Sequence, residues 1–244
     1  MNQQDKSRFL IIGTGRSGSS ILSAILADAG ANFDMPPLGG WDTRGGAYEH
    51  PRLLAAYRWH SRANKIAESL WPDMLGRKFC ENRSKQELTK LFVKARFAKY
   101  GQAIWLLPAI VKLGYRPYLI VSYRSFDDYA ASYHVRSGFS LLSMVSSYVD
   151  IYSTALLQLS IFGGCAIGYE ELVNLDEIGW ADAIGSLAGL STPGILEARQ
   201  QRIKPQVGNF WPKLYAGLVD TSVANVYSAL CALKGKMIRS EYID

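Results

Sequence analysis

A glycine-rich segment between an apolar run and a helical pattern constrains the fold of this chain more than any other feature. Residues 9–12, Phe-Leu-Ile-Ile, are apolar, and the next eight are Gly-Thr-Gly-Arg-Ser-Gly-Ser-Ser. Apolar residues then recur at Ile21, Leu22, Ile25 and Leu26, which is the spacing of one helix face. The segment therefore predicts a strand, a tight loop and a helix, in that order.

This arrangement favours the binding of an anion. Glycine lets the backbone turn tightly, and the first amides of the helix lie at the positive end of its dipole. A Walker A loop needs Gly-Lys followed by Ser or Thr, whereas Arg16 is the sole cation among residues 13–20. We therefore expect a phosphate or a similar oxyanion at this loop, and the sequence disfavours an ordinary ATP or GTP site.

Predicted strands and helices alternate along the rest of the chain. Short apolar runs predict strands at 118–121 and 165–169. Helical patterns predict helices at about 51–70, 84–99, 106–113, 139–162, 175–187, 195–201 and 221–233. The alternation predicts an α/β fold of P-loop type, with three layers in which helices flank a central, mainly parallel sheet. A ligand of such a sheet is expected at the carboxyl ends of the strands.

One predicted helix, 139–162, is long enough to cross a bilayer. It contains several serines together with Asp150 and Gln158, and polar residues at this density indicate a buried helix instead. We therefore expect no transmembrane segment. The polar N-terminus has too short an apolar run for a signal peptide, so a cytoplasmic protein is expected.

Composition narrows the class of protein further. A chain of 244 residues with 48% hydrophobic residues is expected to form a single domain over 1–244. The net charge of +6 suits either a polyanionic ligand or simple solubility. Nucleic acid is not expected as a partner, because the sequence has no dense Lys/Arg run and no zinc pattern. The three scattered cysteines favour a reducing compartment over a disulfide framework.

Two later segments carry polar residues at predicted strand ends. Arg124 follows the strand at 118–121, and Ser132 comes eight residues later on the next predicted helix. An alternative is that Arg124 forms an ion pair with Asp127 or Asp128. These two acids are themselves expected mainly to complement the dipole of the helix that follows. The third strand ends in Tyr169-Glu170-Glu171-Leu172.

These three features, in this order, resemble the sulfotransferases that use 3′-phosphoadenosine 5′-phosphosulfate (PAPS). The Arg-Ser-Gly-Ser-Ser form of the loop is most similar to bacterial and carbohydrate-type members of that family, and the resemblance extends over roughly residues 8–190. It implies transfer of a sulfuryl group from PAPS to a hydroxyl or amine of a small molecule or carbohydrate. It also implies that no metal ion is needed and that adenosine 3′,5′-bisphosphate is the product.

The resemblance also assigns residues to the cofactor. Arg124 and Ser132 correspond to the 3′-phosphate motif, and Tyr169 to the strand end near the adenine. Lys204 resembles a residue of a late loop that closes over the 3′-phosphate, although Pro205 stands where that loop has glycine. The residues of the 5′-phosphosulfate loop are Thr14, Gly15, Arg16, Ser17, Gly18, Ser19 and Ser20.

Sulfuryl transfer needs a cation at the leaving oxygen and a base for the acceptor proton. Arg16 is the predicted cation. Glu49 and His50 are the two candidate bases, of which Glu49 is preferred, although Glu49 can equally cap the helix predicted to begin near Pro51. Two other functions fit the same loop: a P-loop nucleotide kinase or NTPase, and a non-catalytic nucleotide-binding module.

Overall fold

A five-stranded sheet forms the centre of the described part of the chain. The computed structural model describes residues 6–35, 48–69, 73–137, 140–203 and 221–240. The strand order is β2-β1-β3-β4-β5, and all neighbours are parallel except β4 and β5. The strands are β1 (Ser7–Ile12), β2 (Phe97–Lys99), β3 (Arg116–Tyr123), β4 (Gly164–Gly168) and β5 (Met237–Ile238).

Helices cover both faces of this sheet. Their bounds are α1 (Ser19–Asp28), α2 (Pro51–Ala67), α3 (Met74–Phe92), α4 (Leu107–Lys112), α5 (Phe126–Ser137), α6 (Leu141–Phe162), α7 (Tyr169–Val173), α8 (Gly179–Ala188), α9 (Thr192–Arg202) and α10 (Thr221–Ala232). A short 3₁₀ helix, Gly101–Leu106, joins β2 to α4.

Successive side chains of each strand point to opposite faces of the sheet and pack into two separate hydrophobic cores. Leu10 and Leu119 point to one face, where they pack with residues of α2 to α6 and α10. Phe9 and Ile120 point to the opposite face, where they pack with residues of α1, α8 and α9. The predicted α/β architecture, a mainly parallel sheet flanked by helices, is therefore confirmed.

Most of the predicted elements are present. The strand predicted at 118–121 lies within β3, and the one predicted at 165–169 matches β4 except that Tyr169 already begins α7. The predicted helices correspond to α2, α4, α6, α8, α9 and α10, with ends shifted by a few residues. The sequence patterns failed to predict two short strands, β2 and β5.

The predicted helix at 84–99 is wrong at both ends. Its true counterpart, α3, begins at Met74 because the Asp73 side chain caps it, accepting from the amides of Leu75 and Gly76 at 3.1 and 2.9 Å. The helix ends at Phe92, and residues 97–99 pair with β1 instead of continuing it. Three residues are too few to show the alternation of a strand, so only the pairing partner reveals β2.

The long helix α6 packs one face into the core. Its buried residues include Tyr148, Tyr152, Ala155 and Leu159, as expected for a core helix, while Leu142 is 79% exposed. Among the described residues, no helix combines the length and the apolarity that crossing a membrane requires.

Candidate functional site

The glycine-rich loop lies at the carboxyl end of β1 and turns directly into α1. Arg16 and Gly18 have left-handed backbone conformations, with φ of 73° and 91°. Gly18 is the N-cap of α1 and offers no capping side chain, and the first helical bond runs from the Leu22 amide to the Gly18 carbonyl. The amides of Ser19 and Ser20 therefore precede the first intrahelical bond, as an anion site at a helix N-terminus requires.

Close packing explains two of the glycines in this loop. A Cβ atom on Gly13 would lie 2.5 Å from the Ser122 carbonyl oxygen of β3. A Cβ atom on Gly18 would lie 2.6 Å from Cδ2 of Tyr169, in addition to the strain of its positive φ. The loop is thus pressed against the ends of β3 and β4, where only glycine fits.

A buried tyrosine of α6 connects the loop to the end of β3 through hydrogen bonds. The Tyr152 hydroxyl donates to the Ser122 carbonyl at 2.9 Å, accepts from the Thr14 amide at 3.3 Å and lies 3.1 Å from Thr14 Oγ1. Ser122 Oγ in turn donates to the Ser17 carbonyl at 2.8 Å. Burial raises the pKa of Tyr152 to about 12, so its hydroxyl keeps its proton at neutral pH.

Tyr152→Phe is expected to lower the free energy of unfolding by about 1–3 kcal/mol, because it leaves the buried Thr14 and Ser122 groups without their partner. Urea unfolding followed by circular dichroism measures this change. Tyr100→Phe is the control, since the Tyr100 hydroxyl bonds only an exposed side chain, Gln102, in the described part of the chain. Equal stability of the two variants would show that Tyr152 does not hold the loop.

Arg16 reaches across to α5. Its side chain is exposed at the surface of the loop, and its Nε donates to Ser132 Oγ at 3.0 Å. The two residues are 116 positions apart in the sequence, and both were predicted to contact the cofactor. Of the other predicted loop residues, Gly15 is exposed and Ser20 is half-buried, while the side chains of Thr14, Ser17 and Ser19 are buried.

Arg124 and Tyr169 form a second contact beside the loop. The guanidinium carbon of Arg124 lies 4.3 Å from the centroid of the Tyr169 ring. Arg124 Nε is buried, and among the described residues it has no hydrogen-bond partner. It lies 3.8 Å from Asp128 Oδ2, so the alternative ion pair of Arg124 is formed, and its partner is Asp128. Because Tyr169 also packs on Gly18, the ring connects Arg124 to the loop.

The sequence patterns did not identify Lys99 as a site residue. Lys99 ends β2, is only 4% exposed, and donates from Nζ to Ser20 Oγ at 3.1 Å and to Glu49 Oε1 at 3.0 Å. Burial lowers the pKa of Lys99 from its ordinary value, and the Glu49 carboxylate opposes this shift. The short apolar pair Phe97-Ala98, which is followed by Gly101, is the one local feature that indicates a strand here. The helix predicted over 84–99 includes this pair and therefore conceals it.

The two candidate bases have different surroundings. Glu49 is paired with Lys99 and is thereby linked to the first turn of α1. His50, not Glu49, is the N-cap of α2, because its Nδ1 accepts from the Arg52 amide at 3.1 Å, so the alternative capping role of Glu49 is wrong. Burial lowers the pKa of His50, partly opposed by Asp34, whose Oδ2 lies 3.7 Å from His50 Nε2.

A cleft of about 660 Å³ lies beside His50. Asp34, Arg52, Glu87 and Lys94 supply charged side chains to its wall, and no residue of the glycine-rich loop lines it. His50 thus contacts this cleft, whereas Glu49 is tied to the loop.

Lys204, the remaining predicted cofactor ligand, lies outside the described residues. In the described ranges, no three His, Cys, Asp or Glu side chains are grouped closely enough to hold a metal ion. Comparisons of the chain with models of protein families, with curated proteins and with solved structures gave no match.

Proposed function

We propose that the protein is a PAPS-dependent sulfotransferase of P-loop type that transfers a sulfuryl group to a hydroxyl or amine of a small molecule or carbohydrate. One observation carries the proposal. The three segments that resemble the family, which are distant in sequence, contact one another at the carboxyl edge of the sheet. Arg16 bonds Ser132, Arg124 stacks on Tyr169, and Tyr169 packs on Gly18.

The residues present fit PAPS, which carries a 5′-phosphosulfate, an adenine and a 3′-phosphate. The uncapped start of α1 suits the 5′-phosphosulfate. The buried Arg124 Nε, which has no hydrogen-bond partner among the described residues, suits a second phosphate nearby. The Tyr169 ring lies between these two positions and offers an aromatic surface to the nucleoside.

Arg16, the loop amides and Ser132 have distinct roles in this reaction. PAPS supplies a sulfuryl group bonded to a phosphate leaving group. Arg16 and the loop amides would stabilise the negative charge that grows on the phosphate oxygen as its bond to sulfur breaks. The Ser132 hydroxyl accepts from Arg16 Nε and so positions the guanidinium, and its own O–H can still donate to the 3′-phosphate that the resemblance assigns to it.

Glu49 is the better-supported base. A new bond forms between sulfur and the acceptor oxygen or nitrogen, and the acceptor proton must go to a base within hydrogen-bond reach. Lys99 holds the Glu49 carboxylate next to the start of α1, whereas Nδ1 of His50 is occupied in capping α2. The same lysine donates to Ser20 Oγ at 3.1 Å, so the Lys99–Glu49 pair lies directly beside the first turn of α1.

Isothermal titration calorimetry with adenosine 3′,5′-bisphosphate tests the proposal without knowledge of the acceptor. We expect binding that does not require magnesium. Absence of binding to a protein whose fold is verified by circular dichroism would reject it. Magnesium-dependent binding of ATP in preference to the bisphosphate would indicate a kinase or NTPase, and bisphosphate binding without transfer from labelled PAPS to a broad acceptor panel would indicate a non-catalytic module.

The same titration tests the role of Arg124. Arg124→Ala is expected to weaken binding of the bisphosphate by about 1.5–3 kcal/mol, or roughly 10- to 150-fold, because it removes charge-assisted hydrogen bonds to phosphate. Arg116→Ala is the matched control, since Arg116 lies at the amino end of β3, whereas Arg124 follows its carboxyl end. An unchanged dissociation constant in Arg124→Ala would remove its assignment to the 3′-phosphate.

A further inference from the structure

The hairpin formed by α2 and α3 carries apolar side chains on its outer surface. The two helices run antiparallel, since Arg52 pairs with Glu87 at 3.2 Å and Ser84 Oγ donates to the Ala56 carbonyl at 2.9 Å. The inner face of α3 is buried in the core, whereas three large side chains at its start point to solvent. Their exposed fractions are 63% for Met74, 82% for Leu75 and 52% for Phe79.

Basic side chains lie against the aromatic rings of this surface. The Trp59 and Phe79 rings meet edge to face at 5.9 Å. The guanidinium carbon of Arg62 lies 5.0 Å from the Trp59 centroid, and that of Arg83 lies 5.4 Å from the Phe79 centroid. We call this surface the hairpin patch and define it as Trp59, Arg62, Met74, Leu75, Phe79 and Arg83.

The spacing shows that the patch follows one stripe of α3. Leu75, Phe79 and Arg83 are four residues apart and therefore lie on one face of the helix. Cys80 and Ser84 occupy the buried face instead. Apolar side chains in a contiguous exposed group, edged by cations, are typical of a surface that binds a partner.

Charge selects the kind of partner. The segment 51–92 contains nine basic and four acidic residues, a surplus of five out of the chain's net charge of +6. Three of the four acids are engaged: Asp73 caps α3, Glu81 pairs with Arg77, and Glu87 pairs with Arg52 and Lys90. The hairpin therefore presents a cationic surface around an apolar centre.

This charge disfavours two possible occupants. A second copy of the chain would bring one cationic hairpin against another, which is repulsive. Residues 204–220, which the structure does not describe, contain two lysines and one aspartate and do not supply the missing negative charge. Nucleic acid binds mainly through cations that neutralise its phosphates, whereas the centre of this patch is apolar and only Arg62 and Arg83 border it.

We propose that the hairpin patch binds the surface of membranes that contain anionic phospholipids. Leu75 and Phe79 would enter the boundary between headgroups and acyl chains, and Arg62 and Arg83 would bind lipid phosphates. An apolar stripe flanked by cations is the arrangement with which helices lie in a membrane interface. This surface is separate from the proposed sulfotransferase site, and its test does not depend on that function.

Vesicle co-sedimentation of the full chain tests the inference. We expect binding to phosphatidylcholine vesicles with about 30% phosphatidylserine, and little binding to phosphatidylcholine alone. The double variant Leu75→Glu/Phe79→Glu is expected to bind at least about tenfold more weakly, because it removes the apolar contacts and adds negative charge. Arg62→Gln/Arg83→Gln is expected to bind about 25-fold more weakly, from about fivefold per lost charge.

Leu142→Glu/Leu157→Glu is the matched control, since it adds the same two charges at exposed leucines of α6, and it should bind as the native chain does. Failure of the native chain to bind the anionic vesicles would overturn the inference. Equal binding by Leu75→Glu/Phe79→Glu would do the same. If the native chain binds duplex DNA but not vesicles, and Leu75→Glu/Phe79→Glu loses DNA binding, the patch binds nucleic acid instead. If the native chain self-associates without binding vesicles, and the same variant does not self-associate, the patch binds a second copy.

Discussion

For the proposed sulfuryl transfer, replacing Arg16 with alanine is expected to lower the rate about 100- to 1,000-fold, because it removes a preorganised cation from the oxygen on which charge develops. The fold should be retained, since the Arg16 side chain is exposed and its bond to Ser132 lies at the surface. Release of adenosine 3′,5′-bisphosphate from PAPS, measured with a panel of alcohols, phenols, amines and sugars, provides the rate.

Arg239→Ala is the control for this experiment. Arg239 is also exposed, but it follows β5, the outer strand on the side of the sheet opposite β2. Near-native turnover is expected in Arg239→Ala, together with an unchanged circular dichroism spectrum in both variants. A folded Arg16→Ala variant with near-native turnover would reject Arg16 as the cation of the reaction.

Replacing Glu49 with glutamine is expected to lower turnover about 100- to 10,000-fold, the usual contribution of a general base. Glutamine keeps the shape of the side chain and an oxygen that can accept from Lys99, but it cannot take the acceptor proton. Binding of the bisphosphate should change little, because the loop amides and Arg124 remain. The combination of lost turnover and retained binding is the expected signature of a base.

His50→Asn is the matched comparison. Asparagine is a favourable N-cap, so α2 should keep its capping bond to the Arg52 amide and the variant should stay folded. We expect turnover close to that of the native chain, because the proposal gives His50 no part in the proton transfer. Lost turnover in His50→Asn with retained turnover in Glu49→Gln would exchange the two assignments.

The proposed site and the hairpin patch lie on different parts of the fold. The site is formed at the carboxyl ends of β1, β3 and β4, with Lys99 added by β2. The patch is formed by the outer surface of α2 and α3. Variants of one are therefore expected to leave the measurements of the other unchanged, which allows the two proposals to be tested separately.

The strand, the glycine-rich loop and the first helix are determined locally by the sequence. Gly13 and Gly18 allow the tight turn, and the apolar patterns on either side are long enough to show their periods. The order of strands and helices in turn predicted a parallel sheet with the loop and Arg124 at the same edge. These predictions succeed because they depend on neighbouring residues and on the general geometry of α/β folds.

Tertiary structure alone decided which residues of the proposed site contact one another. The residues 97–99 become a strand only because β1 is available to pair with them, and this pairing brings Lys99 to Ser20 and Glu49. Likewise, the hydrogen bond between Arg16 and Ser132 joins residues 116 positions apart. No local pattern encodes such contacts, because they depend on which strands become neighbours and on how the helices pack against them.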